Sequence, residues 1–366
     1  MKVLCERERL REALQVVSSV IPVKSTRPAI ENVYLVATDE ALELVGTDLE
    51  VAVRYRIEEV KVEDPGTALI PARVATDFVR DLGGETLTLE TRGETFHIEN
   101  GADHCELTTM DPDEFPVVAR FPEGEGLRIL GETFTRLVGR TSFAAAREQG
   151  RYAMHGILTQ VEDGSVQMVA TDGRRLAVAS SPVEAASGAT SRAIVPTKGM
   201  QLFCRVIHDP TEMVSLHFGE NQIGLKTEKA EIFARLIDGE FPRYAAVIPS
   251  SSENLIEADA DMLSQKLRLV SNVTSADMRA VKLSVEKGKM TVFGRSAAAG
   301  EATAHIEVDF KGKPCEIAFN PDYIIDGLKN CELETVRLEF NERTSPGKFT
   351  LGENYIYIVM PITIDT

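Results

Sequence analysis

The chain repeats itself three times, and that repeat limits its fold more than any other feature. Residues 31–54 read ENVYLVATDEALELVGTDLEVAVR, residues 154–180 MHGILTQVEDGSVQMVATDGRRLAVAS, and residues 278–305 MRAVKLSVEKGKMTVFGRSAAAGEATAH. Each begins as an apolar strand and crosses a polar turn (Thr38-Asp39-Glu40, Glu162-Asp163-Gly164, Glu286-Lys287-Gly288). Each then returns as an alternating strand, bends at a small or polar cluster and leaves as another strand. Downstream, GTALIPARVATDFVRDL (66–82), SRAIVPTKGMQLFCRVI (191–207) and CEIAFNPDYIIDGLKNC (315–331) each join a short strand to a helical apolar pattern through a Pro or Asn break.

A third block closes each copy. It gives TLTLE and TFHIE in copy one, VSLHF, QIGLK and EIFARLI in copy two, and VRLEF, KFTLG and YIYIVMPI in copy three. Amphipathic helices are predicted over 6–20, 132–145 and 260–272; Leu10, Leu14 and Val17 recur at helical spacing, as do Leu263, Leu267 and Val270. Ile70 to Val195 spans 125 residues and Val195 to Phe319 spans 124. The chain therefore reads as three units, 1–125, 126–252 and 253–366, cut near Gly124-Glu125-Gly126 and Ser250-Ser251-Ser252.

Several classes fall away. No run approaches the ~18 apolar residues of a membrane span, and the charged start (Glu6, Arg7, Glu8, Arg9) lacks a signal-peptide core. Cys5, Cys105, Cys204, Cys315 and Cys331 are scattered and odd in number, which suits free thiols in a reducing cytoplasm. Gly347-Lys348 precedes Phe349 and is no phosphate loop, and Gly124-x-Gly126 lacks the remaining glycine of a dinucleotide loop. The acidic run Asp111-Pro112-Asp113-Glu114 reads as a solvated turn. His97, His104 and Cys105 read as strand residues, since a zinc site needs four well-spaced ligands. Asp172 resembles a catalytic acid, but Thr47-Asp48 recurs at the same repeat position. A turn-forming role explains both, while Arg174-Arg175 keeps a surface role. His155, His208, His217 and His305 have no nucleophile or carboxylate at a catalytic spacing, and nothing argues for an enzyme.

Three tandem copies with LVGTDLE (44–50), IPAR (70–73), ATDGRRLA (170–177), Phe-Pro at 115 and 241, and a terminal VMPI resemble the bacterial DNA polymerase III β subunit family, the sliding clamps, over essentially the whole chain. The resemblance implies an α+β DNA-clamp fold. Each unit would hold two helices and two small antiparallel sheets that continue across the joins, and two chains would close head to tail into a ring. It implies a cytoplasmic processivity factor with no catalytic residue, cofactor or metal. Its partners would be a second copy, double-stranded DNA held without regard to sequence, a clamp loader, and replicative and repair polymerases carrying short clamp-binding peptides.

By the same resemblance Lys24, Arg73, Gln149, Tyr152 and Lys198 face DNA, and Arg27 joins them from its place in the first loop. Tyr152 offers a ring for stacking on a base, although Ala153 stands where the family often has a second aromatic. The peptide pocket maps onto Met154, Thr171, Gly173, Arg174, Arg175, Leu176, Pro242, Val247, Val359, Met360, Pro361 and Ile362. Arg174 stands where His is common, and Ala246 where a basic residue is common. At the ring joint, the strand near Cys105 is expected to meet the partner's helix at Leu269 and Val270.

Net charge sharpens the reading. Forty basic against 57 acidic residues give −17, which by itself argues against a phosphate binder. The stretches expected to face the hole, namely 2–28, 73–81, 131–151, 191–208, 260–282 and 320–331, carry +9, leaving −26 elsewhere. A three-repeat scaffold that never meets DNA would fit the repeats equally well but would have no basic face and no closed dimer. A sugar- or nucleotide-acting enzyme would need convergent carboxylates or a phosphate loop.

Overall fold

A computed structural model describes residues 1–123, 126–147, 152–183, 190–275 and 279–363. Copy one runs β1 (Lys2–Glu6), α1 (Arg7–Ser18), β2 (Asn32–Ala37), β3 (Leu42–Thr47), β4 (Val51–Ile57), β5 (Val60–Asp64), β6 (Gly66–Pro71), α2 (Ala72–Asp81), β7 (Thr86–Arg92), β8 (Thr95–Asn100) and β9 (Asp103–Thr108). Copy two runs β10 (Leu127–Leu130), α3 (Gly131–Ser142), β11 (Gly156–Glu162), β12 (Ser165–Thr171), β13 (Arg175–Pro182), β14 (Ser191–Pro196), α4 (Thr197–Val206), β15 (Met213–Phe218), β16 (Gln222–Lys226) and β17 (Ala230–Arg235). Copy three runs β18 (Asn254–Asp259), α5 (Ala260–Ser271), β19 (Val281–Glu286), β20 (Lys289–Ser296), β21 (Gly300–Glu307), β22 (Asp309–Lys311), β23 (Cys315–Phe319), α6 (Pro321–Leu328), β24 (Thr335–Phe340), β25 (Gly347–Gly352) and β26 (Tyr355–Val359). The element order is the same in all three, with β5 and β22 as additions.

The chain packs into two compact units, and the cut runs through the middle copy. One unit holds Met1–Glu132 with Lys198–Leu236; the other holds Thr133–Thr197 with Ile237–Thr366. The reason lies in the sheets. In the first unit β4 of copy one pairs antiparallel with β17 of copy two, fusing both into an eight-stranded sheet ordered β10-β15-β16-β17-β4-β3-β2-β6. In the second, β13 of copy two pairs with β26 of copy three in a nine-stranded sheet ordered β14-β11-β12-β13-β26-β25-β24-β18-β22. The first unit also holds a five-stranded sheet (β5-β1-β7-β8-β9), the second a four-stranded one (β21-β20-β19-β23).

Helices seat on these sheets through the apolar stripes read from sequence. Leu10, Ala13, Leu14 and Val17 of α1 are buried, as are Leu263, Leu267 and Val270 of α5. Asp259 caps α5, accepting from Met262 N at 2.7 Å. The seats are tight. A Cβ on Gly46 would lie 2.7 Å from Val17 Cγ1, and one on Gly294 2.8 Å from Val270 Cγ1. The same helix–sheet contact thus recurs in copies one and three. The five cysteines are free, and burial pushes the Cys5 thiol up to about 12. No helix among the described residues is long and apolar enough to cross a membrane.

Candidate functional site

In the second unit the β13–β26 join is the organising feature. Arg175 lies opposite Val359 and Leu176 opposite Ile358, and Met360 N donates to Arg174 O at 2.8 Å. Before β13 the chain makes a tight turn. Asp172 Oδ1 accepts from Arg174 N at 2.9 Å and Arg175 N at 3.0 Å, Thr171 Oγ1 donates to Arg175 O at 2.6 Å, and Gly173 takes φ +86°. Copy one repeats it: Asp48 Oδ1 accepts from Glu50 N and Val51 N, and Thr47 Oγ1 donates to Val51 O. The two aspartates recur because both hold this turn.

Below the turn Leu176, Leu158, Val169, Val178, Ile194, Phe241 and Ile358 form one buried cluster, covered in part by Ala153, Tyr244 and Ile248. Next to these residues along the chain, Met154 and Pro242 are half-buried, Arg174 is exposed, and Val247 and Met360 are 43% and 37% exposed. Pro361 and Ile362 are half-buried, and Ile362 N donates to Ala318 O. Met154, Pro242, Val247 and Met360 thus leave apolar side chains at least partly exposed, the chemistry that a short apolar peptide would need.

Arg175 corrects the expectation of a surface role. It is 7% exposed, and its guanidinium donates to Asp172 Oδ2 (3.0 Å), Asp326 Oδ2 (2.8 Å) and Phe143 O (2.7 Å) while lying over the Tyr323 ring at 4.7 Å. Burial alone would lower its pKa; Tyr357 and the paired carboxylates reverse that. Sequence reasoning missed Asp326 and Phe143, which no local pattern links to the turn.

In the first unit, Lys24 and Arg27 stand exposed in the loop after α1 and make no ion pair among the described residues. Arg73, 82% exposed, lies 4.0 Å from Asp77, and Lys198 pairs with Asp48. The α1 arginines are drawn to acids: Arg9 to Glu6 and Glu59, Arg11 to Glu8. Gln149 lies outside the described residues, as does the side chain of Tyr152, whose backbone begins the short 3-10 turn Tyr152–His155. The unit also has a cleft of about 340 Å³ lined by Thr47, Leu49, Val117, Phe233 and Arg235, beside the copy-one turn.

Two edges remain. β9, carrying half-buried Cys105, ends the five-stranded sheet, and β21 ends the four-stranded sheet. On α5, Leu269 is 53% exposed, but Val270 is fully buried and so cannot meet a partner as expected. Val270 belongs to the stripe that seats the helix, whereas Leu269 points out.

Family models described as the N-terminal, central and C-terminal domains of the DNA polymerase III beta subunit match residues 1–119, 128–243 and 245–362. A Pseudomonas putida protein named Beta sliding clamp is 30% identical over 362 residues, covering 98% of this chain and 99% of its own. The chain belongs to the DNA polymerase III β subunit family. The Escherichia coli K12 member, also named Beta sliding clamp, is 29% identical over the full length of both chains. The crystal structure of the Pseudomonas aeruginosa subunit superposes with a TM-score of 0.93 at 29% identity, and another from that organism, bound to griselimycin, with 0.94, each covering both chains completely. The fold is therefore the clamp fold, with its three domains joined sheet to sheet.

Proposed function

We propose that this chain is a DNA sliding clamp: two copies close head to tail around duplex DNA and tether polymerases to it, with no chemistry of their own. One observation carries this reading. β4, β13 and β21 hold the same place in the three copies, as do β9, β17 and β26. Two joins of this kind exist within the chain, β4 with β17 and β13 with β26. The strands left over are β21 and β9, each a free sheet edge. Equivalent joins repeated by rotation close a ring, and a second copy supplies the missing pairings.

In that ring the units 1–125, 126–252 and 253–366 each contribute one arc. Lys24, Arg27, Arg73, Gln149, Tyr152 and Lys198 meet DNA phosphates or bases, and β9 at Cys105 meets β21 and Leu269 of the partner. The surface around Met154, Thr171, Gly173, Arg174, Leu176, Pro242, Val247 and Val359–Ile362 takes the short peptides of polymerases and other clamp-binding proteins, with Arg175 holding its turn in place. A clamp loader in the cytoplasm opens the ring. The test is negative-stain electron microscopy of the purified protein with its mass in solution. Closed rings of two chains support the reading; a monomer or an open filament overturns it.

A further inference from the structure

We propose that His97, Glu99 and His104 form a zinc site on the outer strands of the five-stranded sheet. His97 and Glu99 are two apart on β8 and share a face, and the antiparallel register sets His104 of β9 opposite Glu99. One ligand atom from each of the three lies within 4.8 Å of the others. His97 Nδ1 and His104 Nε2 are 3.4 Å apart, with the rings stacked at 5.5 Å. Zinc–nitrogen bonds of about 2.0–2.1 Å in a tetrahedron set two ligand atoms roughly 3.3 Å apart, so the imidazole pair already has the required spacing.

The surroundings orient two of these groups. His97 is only 6% exposed, and its other nitrogen, Nε2, lies 2.9 Å from Thr95 Oγ1, which fixes the ring with Nδ1 toward His104. Arg92 Nη1 donates to Glu99 Oε1 at 2.8 Å and orients the carboxylate. Two of the three ligands thus have a second partner, the usual construction of a metal centre. Two imidazoles and a carboxylate favour zinc over magnesium or calcium, and the fourth position is left for water. Cys105 projects to the opposite face of β9, so the donor set is nitrogen and oxygen. A bound ion would tie β9 to β8. That β9 is also the closing edge rests on the ring reading; the site itself does not.

Isothermal titration of zinc into metal-free, full-length protein tests it. One zinc per chain is expected. Exposed His104, changed to Ala, should lose at least about tenfold in affinity with an unchanged melting temperature. Thr95→Val should weaken binding by about 10-fold, and His305→Ala should leave it unchanged. Cobalt in place of zinc should give a tetrahedral visible spectrum without thiolate charge-transfer bands. No zinc bound by the wild type at about 100 μM, equal binding by His104→Ala, or thiolate bands would each overturn the proposal.

Discussion

Arg175 is where the turn, the start of β13 and helix α6 meet, and three predictions belong to its neighbourhood. Its guanidinium is buried with Asp172 and Asp326, so removing it strips both carboxylates of this cation, with Lys329 left beside Asp326. Arg175→Ala should cost about 3–5 kcal/mol in urea unfolding and abolish binding of a clamp-binding peptide in fluorescence anisotropy. Met360→Asp, at the exposed rim, should abolish binding with unchanged stability; unchanged binding would remove Met360 from the site. Asp326 supplies the pH dependence. Burial raises its pKa, but Lys329 and Arg175 outweigh that and hold the carboxyl below its ordinary value. The folded pKa is depressed, so this contribution is present above about pH 4 and lost as pH falls through the folded value. The stability gap between wild type and Asp326→Asn should be full near pH 6 and shrink below about pH 4; a gap constant with pH would show that the carboxylate charge plays no part. The aspartate turns were legible in the sequence because they repeat. Arg175 was not: an arginine beside a turn looks like any surface cation, and Asp326 stands 151 residues away.

At the scale of elements, strands that bury one full face announce themselves by alternation, and helices by their stripe. β9 escaped the alternating pattern because only Leu107 of its six residues is buried. β5 buries none of its side chains fully, and three-residue β22 is held only at an edge. Such strands are written by their neighbours' hydrogen bonds rather than by their own apolar residues. Helix α5 shows the converse. The stripe Leu263, Leu267, Val270 was legible as core, and that same legibility should have withheld Val270 from the joint. The two positions now separate cleanly. Leu269→Asp should leave each chain folded, within about 0.5 kcal/mol of wild type, yet shift sedimentation from dimer to monomer. Val270→Asp places a carboxylate in the core beneath the helix and should destabilise the fold by several kcal/mol. A Leu269→Asp protein that remains dimeric would move the interface elsewhere.

For the whole molecule the question is how a chain of net charge −17 holds DNA at all. The stretches assigned to the hole carry +9, but many of their cations are shared with acids: Arg9, Arg11, Arg73 and Lys198 all have carboxylate partners. Phosphate contacts made by such residues are weak and easily exchanged for the internal partner. A ring needs no more, because closure rather than affinity keeps the DNA inside, and weak contacts let it slide. In the proposed ring the acidic remainder, −26 in all, would repel DNA from outside the hole. Two observables separate topology from affinity. On a closed circular plasmid the loaded protein should survive gel filtration at physiological salt, and a single cut that linearises the plasmid should release it. On short linear DNA binding should be weak and fall steeply with salt. Replacing Arg73 and Lys198 together by Glu should reduce the slope of log affinity against log salt by about 2 and impair loading, with the dimer intact, because neither residue touches the proposed joint. Retention that survives linearisation would mean that affinity, not enclosure, holds the DNA. A salt slope unchanged by the double reversal would mean that these two helix-start cations do not face it.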